Sequence, residues 1–168
     1  GSEMCIRDST VPTLGLDRLC ILFEGVYMDN EIYLNGEKIF TWPYGYSQFE
    51  IDLTSYVKEG ENTIWVKNTY ELPNSRWYPG SGIYRNVWLV RRPAVHFTTD
   101  GGYLSAKKEG DAFILHADYE IQNDTDSACE VTLCHTVLAP DGKVAGTSKE
   151  TLTIPVSYTH LRAHETLR

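Results

Sequence analysis

Apolar side chains recur at every second position over most of this chain, the spacing of half-buried strands rather than of amphipathic helices. The pattern predicts an all-β protein. Leu19, Ile21 and Phe23 share one face of a run whose other face carries Cys20 and Leu22, so this strand is expected to be covered on both sides. Ile32 and Leu34 lead into Asn35-Gly36, a hairpin signal because both residues tolerate positive φ. Phe49, Ile51 and Leu53 alternate with Gln48, Glu50 and Asp52, which predicts a strand with one wet face. Further β-rich runs appear at Ile64-Trp65-Val66 and at Val87 to Val90.

Arg91-Arg92-Pro93 interrupts the pattern, since proline cannot donate to a sheet ladder, and a domain boundary is placed there. Beyond it Phe113, Leu115, Ala117, Tyr119 and Ile121 alternate with polar residues, and Val131, Leu133, His135 and Val137 repeat the pattern. Pro140-Asp141-Gly142 supplies a turn. These spacings suit a small antiparallel sandwich of immunoglobulin type.

Composition narrows the partners. The chain has 168 residues and a formal net charge of -8, which would repel a phosphate backbone, so nucleic acid is not expected. No apolar run approaches the roughly 20 residues of a membrane helix, and Gly1 to Thr10 lacks the apolar stretch of a secretory signal. A soluble protein is expected. Cys5, Cys20, Cys129 and Cys134 show neither a zinc spacing nor a dense disulfide framework and are read as core filler. No metal or cofactor is expected.

Several motifs then agree with one family. FEGVYM (Phe23 to Met28), YLNG (Tyr33 to Gly36), PYGY (Pro43 to Tyr46), FEIDLTSYVKEGEN (Phe49 to Asn62) and above all PNSRWYPGSGIYRNVWL (Pro73 to Leu89) resemble the jelly-roll sugar-binding domain of family 2 glycoside hydrolases, most of all bacterial β-galactosidases. Ala94 to Pro155 resembles the immunoglobulin-like domain that comes second in such enzymes. The resemblance implies a truncated jelly roll over 10–93 and an incomplete immunoglobulin-like sandwich over 94–155. It also implies carbohydrate as the partner and a bacterial cytoplasmic or periplasmic setting. SEMCIRDS (Ser2 to Ser9) and VSYTHLRAHET (Val156 to Thr166) resemble translated sequencing adapter, so 1–9 and 156–168 are read as a non-native leader and tail outside the fold. Missing strands would leave unpaired edges.

The chemistry follows from the same resemblance. Retaining glycosidases use two carboxyl groups about 5 to 5.5 Å apart, and in this family both come from a barrel that would follow this segment. No catalytic residue is therefore expected here, and the chain alone is expected to be inactive. Asn30-Glu31 matches the dipeptide that marks the family's acid/base residue but opens a strand, and it is read as a surface pair. The loop Asn74, Ser75, Arg76 and Trp77 is the candidate substrate-binding element, because the family's corresponding loop borders the galactose subsite. Arg85 is expected to make an ion pair that organises this loop, and Trp42, Trp65 and Trp88 are assigned to the core or an interface. The competing reading is a free-standing carbohydrate-binding module, which requires an exposed aromatic strip on the sandwich. β-Glucuronidase and β-mannosidase relatives share the layout, so the substrate among these three stays open.

Overall fold

The computed structural model describes residues 2–11, 15, 17–71 and 80–167, with side chains for 7–11, 15, 17–71 and 80–157. Every regular element among them is a strand, and none is a helix long and apolar enough to cross a membrane. The chain divides into two units, Gly1–Arg92 and Pro93–Arg168.

The first unit contains β1 (Ser2–Val11), β2 (Arg18–Phe23), β3 (Val26–Tyr27), β4 (Asn30–Leu34), β5 (Glu37–Trp42), β6 (Phe49–Asp52), β7 (Gly60–Thr69), β8 (Gly82–Ile83) and β9 (Val87–Arg92). One antiparallel sheet runs β1-β7-β4-β5, a second runs β6-β2-β9, and β3 pairs with β8. The inward residues of the two larger sheets meet in one core: Ile21, Phe23, Phe49 and Ile51 from one, Ile32, Leu34 and Val66 from the other. Strand β2 is buried at Leu19, Cys20, Ile21 and Phe23, so both of its faces are covered as the alternation predicted. The β4–β5 hairpin turns at Asn35-Gly36 with φ of 51° and 88°, the left-handed values for which those residues are suited. Asn35 also ties its turn to β7, its Nδ2 donating to Asn62 Oδ1 at 2.9 Å.

The space between the sheets includes a cavity of about 610 Å³ lined by Leu19, Ile21, Phe23, Leu34 and Val66 among others. Core hydrocarbon makes up most of its wall, with Arg7, Asp8, Ser9, Asn62 and Arg85 also lining it.

The second unit contains β10 (Val95–Glu109), β11 (Ala112–Asn123), β12 (Cys129–Leu138), β13 (Val144–Ile154) and β14 (Ser157–Leu167). A sheet β10-β11-β14 and a pair β12-β13 share a small core of Ile121, Leu133 and Ile154. The alternation does not mark β10, which carries Gly101-Gly102 and a register shift between Phe97 and Gly102. Asn123, in an Asn-Asp-Thr acceptor sequence, is fully buried, and its Nδ2 donates to Ser127 O and Ile154 O at 3.0 and 3.1 Å. It staples a loop and presents no free amide for glycosylation.

Both terminal segments depart from the expectation that they stay outside the fold. Ser2 to Val11 pairs with β7 in unbroken register, Ser2 opposite Thr69 and Val11 opposite Gly60. Likewise β14 pairs with β11 from Ser157 opposite Asn123 to Leu167 opposite Phe113. The physical reason is that a ladder is made by backbone N–H and C=O groups, which any residue except proline supplies. Neither segment contains proline.

The cysteines also split. Cys20 is buried, as a core filler should be, but Cys134 is exposed. Burial, reinforced by the carboxylates of Glu50 and Asp52, pushes the Cys20 thiol up to about 12. In the native protein a bulky thiol reagent at mildly alkaline pH should therefore modify Cys134 and leave Cys20 intact until denaturant is added. Mass mapping that finds Cys20 modified as fast as Cys134 would contradict this packing.

Candidate functional site

The Asn30-Glu31 pair is not the surface pair it was expected to be. Strand β4 sends Asn30, Ile32 and Leu34 inward and Glu31 and Tyr33 outward, so the two neighbours serve different faces. Asn30 is fully buried. Its Nδ2 donates to Val26 O at 3.1 Å and to Trp42 O at 3.0 Å, and its Oδ1 accepts from Asn68 Nδ2. One amide thereby joins β3, β4, β5 and β7. Glu31 lies outside between Lys38 and Lys67, whose ammonium groups hold its carboxyl down to about 2. The ion pairs keep half-buried Glu31 a carboxylate on the outward face of β4.

Around Asn30 the strand ends gather an aromatic cluster. Tyr27 is buried, and its ring lies 5.2 Å from that of Tyr46 and 6.3 Å from that of Tyr70. Tyr27 also pairs through its backbone with Gly82. Tyr70 and Gly82 flank residues 72–79 in the sequence, so one buried tyrosine contacts the chain on both sides of that segment.

The turn Pro43 to Tyr46 is pinned at three points. Asp29 N donates to Pro43 O at 3.2 Å, and Tyr84 Oη donates to Gly45 O at 2.8 Å. The third is steric: a Cβ on Gly45 would overlap the Tyr27 ring, so only glycine lets the turn lie this close. Gly25 faces Tyr84 in the same way, a Cβ there falling 2.6 Å from Cζ. The held turn presents Tyr44 and Tyr46 at 58% and 60% exposure, their rings 5.8 Å apart and inclined at 66°. Such large exposed rings offer apolar faces to a ligand that also needs hydrogen bonds at its edges. Behind them Trp42 and Phe40 stack with Phe49, which stacks on Phe23.

The sequence of the first unit matches the family described as "Glycosyl hydrolases family 2, sugar binding domain" over residues 5–93, more than half of the chain. The chain belongs to glycoside hydrolase family 2. A β-galactosidase of Bacteroides ovatus, BoGH2A, is 38% identical over 126 residues, which cover 73% of this chain and 15% of that protein. A solved family 2 member from Bacteroides cellulosilyticus superposes with a TM-score of 0.92 at 26% identity, over 99% of this chain and 22% of its own. A family 2 β-glucuronidase superposes with a TM-score of 0.89 at 25% identity, over 100% of this chain and 20% of its own. The chain thus spans between 15% and 22% of the length of these three proteins.

Of the residues expected to contact sugar, Asn74, Ser75, Arg76 and Trp77 lie outside the described residues, as does Tyr78. Arg85 is corrected: in place of the expected ion pair, its guanidinium lies over the Tyr84 ring, 5.9 Å from the centroid. Trp42 is half-buried in the ring stack, but Trp88 is half exposed on β9, its Nε1 donating to Glu24 Oε1 at 2.7 Å. Trp88 falls outside the core because it stands opposite Leu22, on the face of the sheet away from Ile21 and Phe23, and Trp65 on β7 is likewise exposed. The sequence reading missed Tyr27, Tyr44 and Tyr46 as functional candidates. The available signal was the PYGY motif, which brackets a glycine between two aromatics.

Proposed function

We propose that this family 2 chain is the non-catalytic scaffold of a retaining β-galactosidase-like enzyme and lends one wall to its sugar subsite. The wall is the loop bearing Asn74, Ser75, Arg76 and Trp77. Amide and guanidinium groups there would hydrogen-bond sugar hydroxyls while the indole covers an apolar ring face. What supports this reading is that Tyr27 contacts the chain on both sides of the loop, since a binding loop needs fixed ends to hold its contacts in place. β-Galactoside is preferred to β-glucuronide on a narrow margin, BoGH2A being 38% identical and a putative β-glucuronidase of Formosa agariphila 34%.

The purified chain, assayed with nitrophenyl β-galactoside and β-glucuronide, should give no turnover above buffer. Isothermal titration with methyl β-galactoside should show weak saturable binding that Arg76→Ala removes. Turnover by the chain itself would overturn the non-catalytic reading, and binding indifferent to Arg76→Ala would overturn the subsite.

A further inference from the structure

We infer that the open edge of β9 pairs with the same edge of a second copy of this chain, the two β9 strands running antiparallel about a two-fold axis. Three observations lead there.

Strand β9 is apolar on both faces and exposed on both. Val87, Trp88 and Leu89 are 39%, 51% and 53% exposed in succession, whereas a half-buried strand hides alternate side chains. Val87 and Leu89 stand opposite Phe23 and Ile21, on the core side, and Trp88 stands opposite Leu22 on the other. β9 pairs with β2, and among the described residues no strand pairs with its other side. The outer strand across the same sheet, β6, alternates its apolar residues with Glu50 and Asp52, charges of the kind that keep an edge from joining another. From Val87 to Val90 β9 has no charge, no proline and no break in register.

The two facing sheets differ by one strand. β1-β7-β4-β5 is four strands wide and β6-β2-β9 three. The cavity between them is lined by Arg7, Ser9 and Val11 of β1 and by Val87 and Leu89 of β9, so it reaches both edge strands. A fourth strand beside β9 extends the narrower sheet over that gap.

Backbone and side chains suit a second β9. Glu24 N donates to Asn86 O at 3.1 Å, and Leu53 N donates to Leu19 O at 2.8 Å. The antiparallel ladder alternates from these bonds, so Trp88 and Val90 bond to β2 while Val87, Leu89 and Arg91 turn their N–H and C=O groups to the open side. Setting Leu89 opposite its own copy pairs Val87 with Arg91, and Trp88 with Val90, an aromatic against a β-branched residue. No two arginines are opposed in that register. Arg91 and Arg92 are already paired with Asp17 and Glu50, so joining the strands buries no bare cation. The same patch serves both copies, so assembly closes at two. An edge of 6 residues makes a small interface, and the dimer is therefore weak and concentration-dependent.

Sedimentation of the full chain, with reductant present so that exposed Cys134 forms no disulfide, should show monomer at about 1 µM and dimer by about 500 µM. Over that range hydrogen exchange should slow at the amides of Val87, Leu89 and Arg91 and stay unchanged at Glu50 and Asp52 on the open side of β6. Leu89→Lys brings two like charges together at the axis, and Leu89→Pro removes an N–H that the monomer leaves free. Each should raise the dissociation constant at least about tenfold while a dilute sample melts like the unmodified chain. The proline variant serves if lysine disturbs the cavity, and the exchange measurement needs no variant. A chain that stays monomeric throughout overturns the inference, as does a dimer that survives both substitutions or leaves exchange at Val87, Leu89 and Arg91 unchanged. Association that grows past two copies overturns the two-fold pairing.

Discussion

Asn30→Leu is expected to destabilise the first unit by about 4 kcal/mol, because it strands three polar groups at once in a dry interior. Leucine fills nearly the same space, so little of the effect is a cavity. Val26 O and Trp42 O lose their donor, and Asn68 Nδ2 loses its acceptor. Val26, Asn30 and Asn68 are fully buried, and Trp42 is partly so. For a unit of this size the loss corresponds to a fall in unfolding midpoint of about 20 °C. A thermal melt followed by tryptophan fluorescence reads it directly. Asn68→Leu should cost less, since it removes one of these bonds, and the double variant should cost less than the sum because the Asn30–Asn68 bond is counted in both. A midpoint within a few degrees of the unmodified chain would show that this amide is not the joint between strands.

Phe23→Ala should cost a similar amount, about 4 kcal/mol, by a different route. Phe23 is 1% exposed at the end of β2, its ring 5.0 Å from that of Phe49 at 20° between planes. Phe49 in turn stacks with Phe40 and Trp42, so the substitution removes the end of a four-ring stack that crosses from one sheet to the other. The inter-sheet cavity already touches Phe23. Neighbouring side chains would have to close an enlarged void, and the cost of truncation rises with the void that remains. Phe23→Leu, which keeps most of the volume, should cost about 1 kcal/mol. Urea unfolding that places the alanine and leucine variants together would show that the void does not set the cost.

The two substitutions also separate kinds of information. Phe23 is readable in one dimension: it sits in phase with Leu19 and Ile21, and the period of two that placed it inside needs no knowledge of its partners. The same holds for Phe49 and Ile51, and for Asn35-Gly36, whose positive φ values are a local steric property of those residues. The family string from Pro73 to Leu89 is equally local, being an ordered run of residues.

Asn30 was misread because polarity at a strand start looks like surface until the partners arrive. They come from 4, 12 and 38 residues away, and only folding makes burial of that amide affordable by satisfying it. Tyr44 and Tyr46 differ little in sequence from core aromatics. Their exposure follows from a turn locked by Tyr27, Asp29 and Tyr84. The strands at Ser2–Val11 and Ser157–Leu167 carry no telling side-chain pattern, for their place is set by backbone groups that every residue shares and by the open flanks of β7 and β11. The sequence by itself determined the strands, the hairpin and the family, because these depend on each residue and its near neighbours. Which polar groups are buried, which aromatics face water and which strands lie at an edge were decided by the tertiary structure, because each is a property of contacts between segments far apart in the chain.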